Sequence, residues 1–590
     1  MARIDGVLLR RHALATVAAL SVCTMASIGL ALPAPPAGTT GLHYFGYFTD
    51  VSYDDAPSVY DHANVVLYGD ALGDDKFQTS LPKIKRLRAN PSTQSMGVVL
   101  SVYNQFFFPG GVPFDQVDTS PAHWPPQSWK NFRAALAPYA SSLVSFYVID
   151  EPPTSAAMAT YIAKVAAQLK ADFPKVHVQV TYTAQDIDND VWTIPNGVDW
   201  VGYDCYPGPF ETECFAKEQY APGDGRTWRS VPYYYNKLKT AIARSHLPYQ
   251  AQLVLIPEAW ELSSTIDPSP EAQATILSRS EREIALAESD PSFAMIMPFL
   301  WDSVPSVPSI GAADLPMVKT YYQALGQHIV NGSARLAYPT SVGASSSYSV
   351  DSAPNRAFDY ANTSAWNAGG YADAAIWASF ADPITLSKLS LVTAQSPAGQ
   401  TQHVVKSATS DTFWPNLATF TGFTSDNQTL TWSGSQPSNW LYIDTLQSPS
   451  WVGWREVDVW TTGSTRLYPI PLASTTAGTA LLPSLVDGDG ATIWTAFAYA
   501  PQSVDLDLGR VQTLSHIDLV VAQTPAGATT HIVYGGPALN QLRVLGTLSQ
   551  FTQDGQDIAL SGSFGNVRYL RVTTSVSPSW VGWREINVFR

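Results

Sequence analysis

The chain changes its hydrophobic rhythm once, near residue 335. Before that point, short continuous apolar runs alternate with stretches whose apolar residues recur every three to four positions; after it, apolar and polar positions alternate with period two and helical spacing vanishes. The apolar runs of the first part predict eight strands: Tyr44–Thr49, Asn64–Tyr68, Met96–Val102, Val144–Ile149, Val176–Tyr182, Val198–Tyr203, Gln252–Ile256 and Ala294–Leu300. Helical patterns fall over Pro126–Tyr139, Ser155–Phe173, Val231–Ser245, Pro270–Ser289 and Leu315–Ile329. Eight strands with helices in most gaps, across residues 43–331, predict a (β/α)8 TIM barrel. An open doubly wound sheet would carry a Gly-rich phosphate loop after its first strand, and this chain has none.

The second part repeats itself. Pro449-Ser450-Trp451-Val452-Gly453-Trp454-Arg455-Glu456 recurs as Pro578-Ser579-Trp580-Val581-Gly582-Trp583-Arg584-Glu585. Upstream, Ala394-Gln395-Ser396-Pro397-Ala398-Gly399 matches Ala522-Gln523-Thr524-Pro525-Ala526-Gly527, each followed by a histidine, His403 or His531. Asp359 and Trp366 match Asp487 and Trp494, so two modules run over 335–462 and 466–590. Ser503–Leu508, His516–Val521, Tyr569–Val572 and Leu389–Val392 read as strands bounded by turn residues, the pattern of all-β, jelly-roll sandwiches. Each module has the size of a separately folding domain.

Composition narrows the function. Of 590 residues, 14% are charged and the formal charge is −15, with no basic patch, which argues against nucleic-acid binding. Aromatics reach 12%, with 18 Trp, and suit stacking on sugar faces as well as a core. Arg3, Arg10 and Arg11 before the apolar segment 13–32 read as a signal peptide, cleaved near Gly29-Leu30-Ala31, which leaves a secreted chain without a membrane anchor. Export permits a disulfide between Cys205 and Cys214. A monomer is expected.

Barrel sites form where strands end, so the residues at those ends are the candidates. Asp50, Asp150, Glu151, Tyr182, Asp204, Tyr206, Glu258, Trp260 and Trp301 converge there. Carboxylates among aromatics suit acetal cleavage, which needs a proton donor and a second carboxylate for the oxocarbenium-like centre. No cofactor motif competes. Glu151 after strand four and Glu258 after strand seven resemble the clan A glycoside hydrolases. That resemblance implies a retaining mechanism with Glu151 as acid/base, Glu258 as nucleophile and Trp301 as a sugar platform. Asp150 departs from it, since the family has Asn before its acid/base Glu. Glu261 and Asp204 are substitute carboxylates. A chitinase-like mechanism wants Asp two residues before the strand-four Glu, where this chain has Ile149.

The repeats resemble discoidin-type modules, including the family 32 carbohydrate-binding modules, through 487–494 and 583–589. The resemblance implies a structural Ca²⁺ held by Asp487, Thr492 and Glu585, and by Asp359 and Glu456 in the first copy, since oxygen ligands suit a hard cation. Glycan-binding candidates are His403, Trp451, His531 and Trp580, read as loop residues; Trp454 and Trp583 read as core. Together these features predict a glycoside hydrolase on an extracellular polysaccharide, tethered by tandem modules. The alternative is a non-catalytic glycan-binding protein with a degenerate barrel.

Overall fold

The computed structural model describes residues 41–48, 59, 61–69, 77–109, 113–183, 187, 193–204, 231–245, 251–262, 268–303, 309–409, 414–475, 478–488 and 490–590. Asp50, Cys205, Tyr206, Cys214 and the N-terminal segment lie outside them.

Eight parallel strands form the first part: β1 (Tyr44–Phe45), β2 (Val65–Tyr68), β3 (Gly97–Ser101), β4 (Leu143–Asp150), β5 (His177–Thr183), β6 (Trp200–Asp204), β7 (Gln252–Ile256) and β8 (Phe293–Ile296). From β2 to β8 each pairs with the next, and β8 pairs with β1. Asn64 closes the ring. Its N–H donates to the Phe45 carbonyl at 2.9 Å, and its Oδ1 accepts from the Phe45 N–H at 2.9 Å. The seam needs Gly46, where a Cβ would stand 2.4 Å from the Val65 carbonyl oxygen. This is the predicted barrel.

The longer helices among the described residues are α1 (Phe77–Ala89), α2 (Gln127–Leu136), α3 (Ala156–Asp172), α4 (Val231–Arg244), α5 (Pro270–Ser289) and α6 (Pro316–Asn331). Serine caps start two of them: Ser155 Oγ accepts from the Met158 N–H at 3.1 Å, and Ser269 Oγ from that of Ala272 at 3.2 Å. Helix α1 escaped the sequence reading because Pro82 interrupts it and its basic residues blur the apolar stripe. Val65, Leu67, Val99, Tyr147, Trp200, Val254 and Met295 fill one barrel layer, and a larger apolar layer joins strands to helices.

Both repeats are antiparallel β-sandwiches with one topology. The first contains β9 (Ser341–Ala344), β10 (Ala374–Thr393), β11 (Gly399–Ala408), β12 (Asn416–Thr424), β13 (Thr429–Gln447) and β14 (Gly453–Ser464). The second contains β15 (Ile470–Ser474), β16 (Gln502–Val521), β17 (Gly527–Gly536), β18 (Arg543–Thr552), β19 (Asp557–Val576) and β20 (Gly582–Phe589). The strand orders are β14-β10-β13-β11-β12 and β20-β16-β19-β17-β18, with β9 on β10 and β15 on β16. The runs 503–508 and 516–521 are one strand. The polar stretch between them stays in the ladder through register shifts, bending where Gly509 takes φ 76°.

The sandwiches are joined to the barrel by buried charge. Arg335 is wholly buried; its Nε donates to Glu288 Oε1 at 2.5 Å and its Nη1 to Glu281 Oε2 at 2.9 Å, both on α5. Glu288 Oε2 also accepts from the Ser464 N–H at 3.2 Å. Between sandwiches, Asp382 accepts from Arg466 at 3.2 Å and from the Tyr468 hydroxyl at 2.5 Å.

Candidate active site

The C-terminal end of β4 builds the barrel's polar cluster. Alternation puts Ser145 and Tyr147 on one face with Gln179 and Thr181 of β5; Ser145 Oγ donates to Gln179 Oε1 at 3.1 Å. A register shift after Tyr147 brings Asp150 opposite Thr181, and the Tyr147 hydroxyl donates to the Asp150 carboxylate. Asp150 is pushed up to about 7: removal from water raises it, the Tyr147 hydrogen bond opposes this, and the Glu151 charge raises it further. Asp204, at the end of β6, is buried, and its charge also bears on Tyr147.

Glu151 ends the strand in an exposed turn at φ 43°, its N–H donating to the Thr181 carbonyl at 3.0 Å. A left-handed conformation is strained for a glutamate, and such strain concentrates at functional sites. Glu258 follows β7 in a bridge to Phe299 and is 7% exposed. Its Oε2 accepts from Arg279 of α5 at 3.2 Å, and its carbonyl accepts from Ser280 Oγ at 3.0 Å and the Tyr322 hydroxyl at 2.7 Å. Burial pushes Glu258 up to about 7, against the lowering pull of Arg279, and the Glu261 charge adds to the rise. The charges bearing on Glu258 thus come from α5 and Glu261, while those on Asp150 come from its own strand end.

Half-buried Trp260 starts an aromatic arc toward this cluster. Its ring lies 5.0 Å from Phe299, Phe299 lies 6.2 Å from Phe48, and Phe48 lies 5.2 Å from Tyr147. Two expected substrate contacts face elsewhere. Tyr182, one residue past Thr181, falls on the opposite face of β5 and is buried in the strand–helix layer. Trp301 is buried against Tyr47 at 4.7 Å and His62 at 5.9 Å, so it presents no open platform. Tyr147 and Arg279 were not singled out in the sequence; the period-two alternation of β4 was the signal for Tyr147.

In the sandwiches the repeated aromatics separate from the repeated histidines. Trp451 and Trp580 are 41% and 51% exposed, with Tyr348 at 5.3 Å and Phe497 at 6.0 Å respectively. Beside Trp580 opens a cleft of about 360 Å³ lined by Tyr499, Gln523, Thr524 and Asp554. Arg584 holds Asp554 through two hydrogen bonds of 3.2 and 2.8 Å, and Arg455 holds Asp426 likewise at 3.0 and 2.8 Å. His403 and His531 lie in strands β11 and β17, not loops. They are buried beside Trp454 and Trp583 at 4.7 and 4.5 Å, with Nδ1 3.0 Å from Thr445 and Thr574 hydroxyls. Burial pushes both down to about 4, so they are neutral core groups.

Among the described residues no three His, Cys, Asp or Glu side chains gather as a metal cage. A cation in the second sandwich would have Asp487, Thr492 and Glu585 as its oxygen donors. Thr492 Oγ1 lies 3.1 Å from Asp487 Oδ2, and burial with the Asp487 carboxylate raises Glu585 well above its ordinary value. This oxygen set fits a hard cation, although Arg466 stands 3.5 Å from Glu585 Oε2 and supplies positive charge. In the first sandwich the Ala361 N–H donates to both Asp359 at 3.1 Å and Glu456 at 2.8 Å, filling the position between the carboxylates.

No family model and no curated protein matches the chain. Among solved structures, the fucolectin from striped bass (Morone saxatilis) serum is similar at 11% identity and a TM-score of 0.21, covering 42% of this chain and 95% of its own. The paired CBM32-1 and CBM32-2 domains of Clostridium perfringens ZmpB align at 10% identity and a TM-score of 0.19, covering 42% of this chain and 92% of theirs. The family 32 module of C. perfringens NanJ, solved with galactose, aligns at 14% identity and a TM-score of 0.19, over 21% of this chain and 98% of its own.

Proposed function

We propose that the chain is a secreted glycoside hydrolase of retaining type, acting on an extracellular polysaccharide that its two sandwiches hold. The observation that carries this reading is the acidic cluster of Asp150, Glu151 and Asp204 around Tyr147, at the strand ends where barrel chemistry occurs. Asp150, pushed up to about 7, is shared between its protonated and ionised forms at neutral pH beside exposed Glu151. In the first step Glu258 attacks the anomeric carbon while Glu151 protonates the departing oxygen. In the second, Glu151 takes a proton from water, which displaces Glu258. In a substrate complex the two carboxyl groups stand about 5–5.5 Å apart. The modules over 335–462 and 466–590 bind sugars at Trp451 and Trp580, and tandem weak sites raise avidity on a repeating polymer. Asp487, Thr492 and Glu585 hold a structural Ca²⁺.

Glu151→Gln and Glu258→Gln variants test the assignment. Glu151→Gln loses activity most on poor leaving groups, and azide rescues aryl glycosides. Glu258→Gln is inactive on all substrates. Near-normal turnover by Glu258→Gln rejects it as nucleophile, leaving Glu261 or Asp204. A second reading, a glycan-binding protein with a non-catalytic barrel, is favoured by the Arg279 ion pair on Glu258, which gives that carboxylate a structural role. Unchanged, low turnover in both variants would select it.

A further inference from the structure

We infer that the outer sheet face of the first sandwich is a second carbohydrate-binding surface, an aromatic platform for an amino-sugar chain whose ammonium group meets Asp373. The surface is distinct from the Trp451 tip and independent of the barrel chemistry. Trp377 on β10 pairs in register with Tyr442 on β13, the rings parallel within 7° and 5.9 Å apart. Trp414 stands edge-on to Tyr442 at 5.8 Å and to Trp440 at 5.9 Å. All four are half-buried, and Trp377, Trp440 and Tyr442 alternate with the core residues Ile376, Ala378, Leu441 and Ile443. Gly343 faces Trp377 on β9; a Cβ there would come 2.5 Å from the indole Nε1, so the absent side chain lets the indole lie across the neighbouring strand.

The second sandwich is an internal control. At the equivalent register Asp505 faces Arg571, in two hydrogen bonds of 2.6 and 2.7 Å. The same fold therefore forms with an ion pair where the first copy has two rings, and the rings are not demanded by the sandwich. Tyr534 stands in place of Lys406, Thr573 in place of Asp444, and Pro501 in place of Asp373.

Charge selects the occupant. Lys406 lies 3.3 Å from Asp444 Oδ2 and 5.2 Å from the Tyr442 ring centre. Exposed Asp373 adjoins Asp444, and this neighbouring carboxyl group raises its pKa. Two carboxylates against one ammonium leave a net negative charge at the platform's edge, which a sugar ammonium neutralises and a hydroxyl does not. The parallel rings offer apolar faces to pyranose C–H groups and π-density to the cation.

Titration calorimetry of the full chain with a glucosamine hexamer, against cellohexaose as the neutral analogue, at roughly 0.15 M salt, tests this. Trp377→Asp combined with Tyr442→Arg transplants the second sandwich's ion pair and keeps the protein folded, checked by its melting curve. This variant loses roughly tenfold or more in affinity for the glucosamine hexamer. Asp373→Asn abolishes the preference over cellohexaose, and Trp451→Ala with Trp580→Ala leaves the platform binding in place. Unchanged affinity in the folded ion-pair variant overturns the proposal. So does equal binding of both hexamers by the parent, or loss confined to the Trp451/Trp580 variant.

Discussion

Single side chains decide the chemistry of the barrel mouth. Asp150 keeps its proton to about 7 in the folded chain, against an ordinary value of 3.8. Its folded pKa is raised, so its contribution to stability is complete below the ordinary value and is lost as pH rises through about 7. Glu258, near 7, and Glu456, near 9, act in the same direction. The melting temperature should therefore fall from mildly acidic to mildly alkaline pH, and Asp150→Asn should flatten that fall, measured by calorimetry across the pH range. Tyr147→Phe removes the bond that holds the Asp150 pKa down. The pH range over which the melting temperature falls should then move upward; an unmoved fall would detach Asp150 from that dependence. Period two in the sequence places Tyr147 with Ser145 but not with Asp150, which has the opposite parity and meets Tyr147 only through the register shift in β4. It also marks His403 as core through its shared parity with Val405, a signal hidden by the adjacent Pro-Ala-Gly turn. Sequence does not reveal that Glu151 turns left-handed, or which way Trp301 rotates its ring.

At the level of elements, α5 carries more than its apolar stripe announces. It holds Glu258 through Arg279 on one side and Arg335 of the first sandwich through Glu281 and Glu288 on the other. Burial raises Glu288, but the Arg335 guanidinium overrides it and holds this carboxyl below its ordinary range. Arg335→Ala strands two buried carboxylates and should cost about 3–5 kcal/mol. Denaturant unfolding checks the size, and a loss below about 1 kcal/mol, typical of an exposed pair, would show the joint to be superficial. The pattern of apolar positions located this helix to the residue but could not disclose the joint, since Glu and Arg separated by 47 positions look like solvated surface. For the same reason the modules read as separate units, whereas Tyr338 and Tyr468 extend the barrel's own core.

Across the whole molecule, the eight-strand barrel and the paired sandwiches were legible because each rests on periodicity and repetition. The partners of the chemical groups were less so, because they lie on elements distant in sequence. The buried joints predict that barrel and first sandwich melt together; two well-separated calorimetric transitions for residues 41–462 would contradict this. Trp451→Ala with Trp580→Ala should weaken binding to an insoluble polysaccharide while leaving cleavage of a short soluble substrate intact, a division of labour read by pull-down beside a rate assay. The central claim is that the barrel hydrolyses glycosidic bonds with its strand-end carboxylates. Its most direct test is the appearance of new reducing ends when purified full chain, Glu151→Gln and Glu258→Gln are each incubated with a panel of polysaccharides. The account predicts reducing ends on at least one polymer from the parent and their loss in both variants; release that persists undiminished in both variants, or a parent that binds but cleaves none, would contradict it.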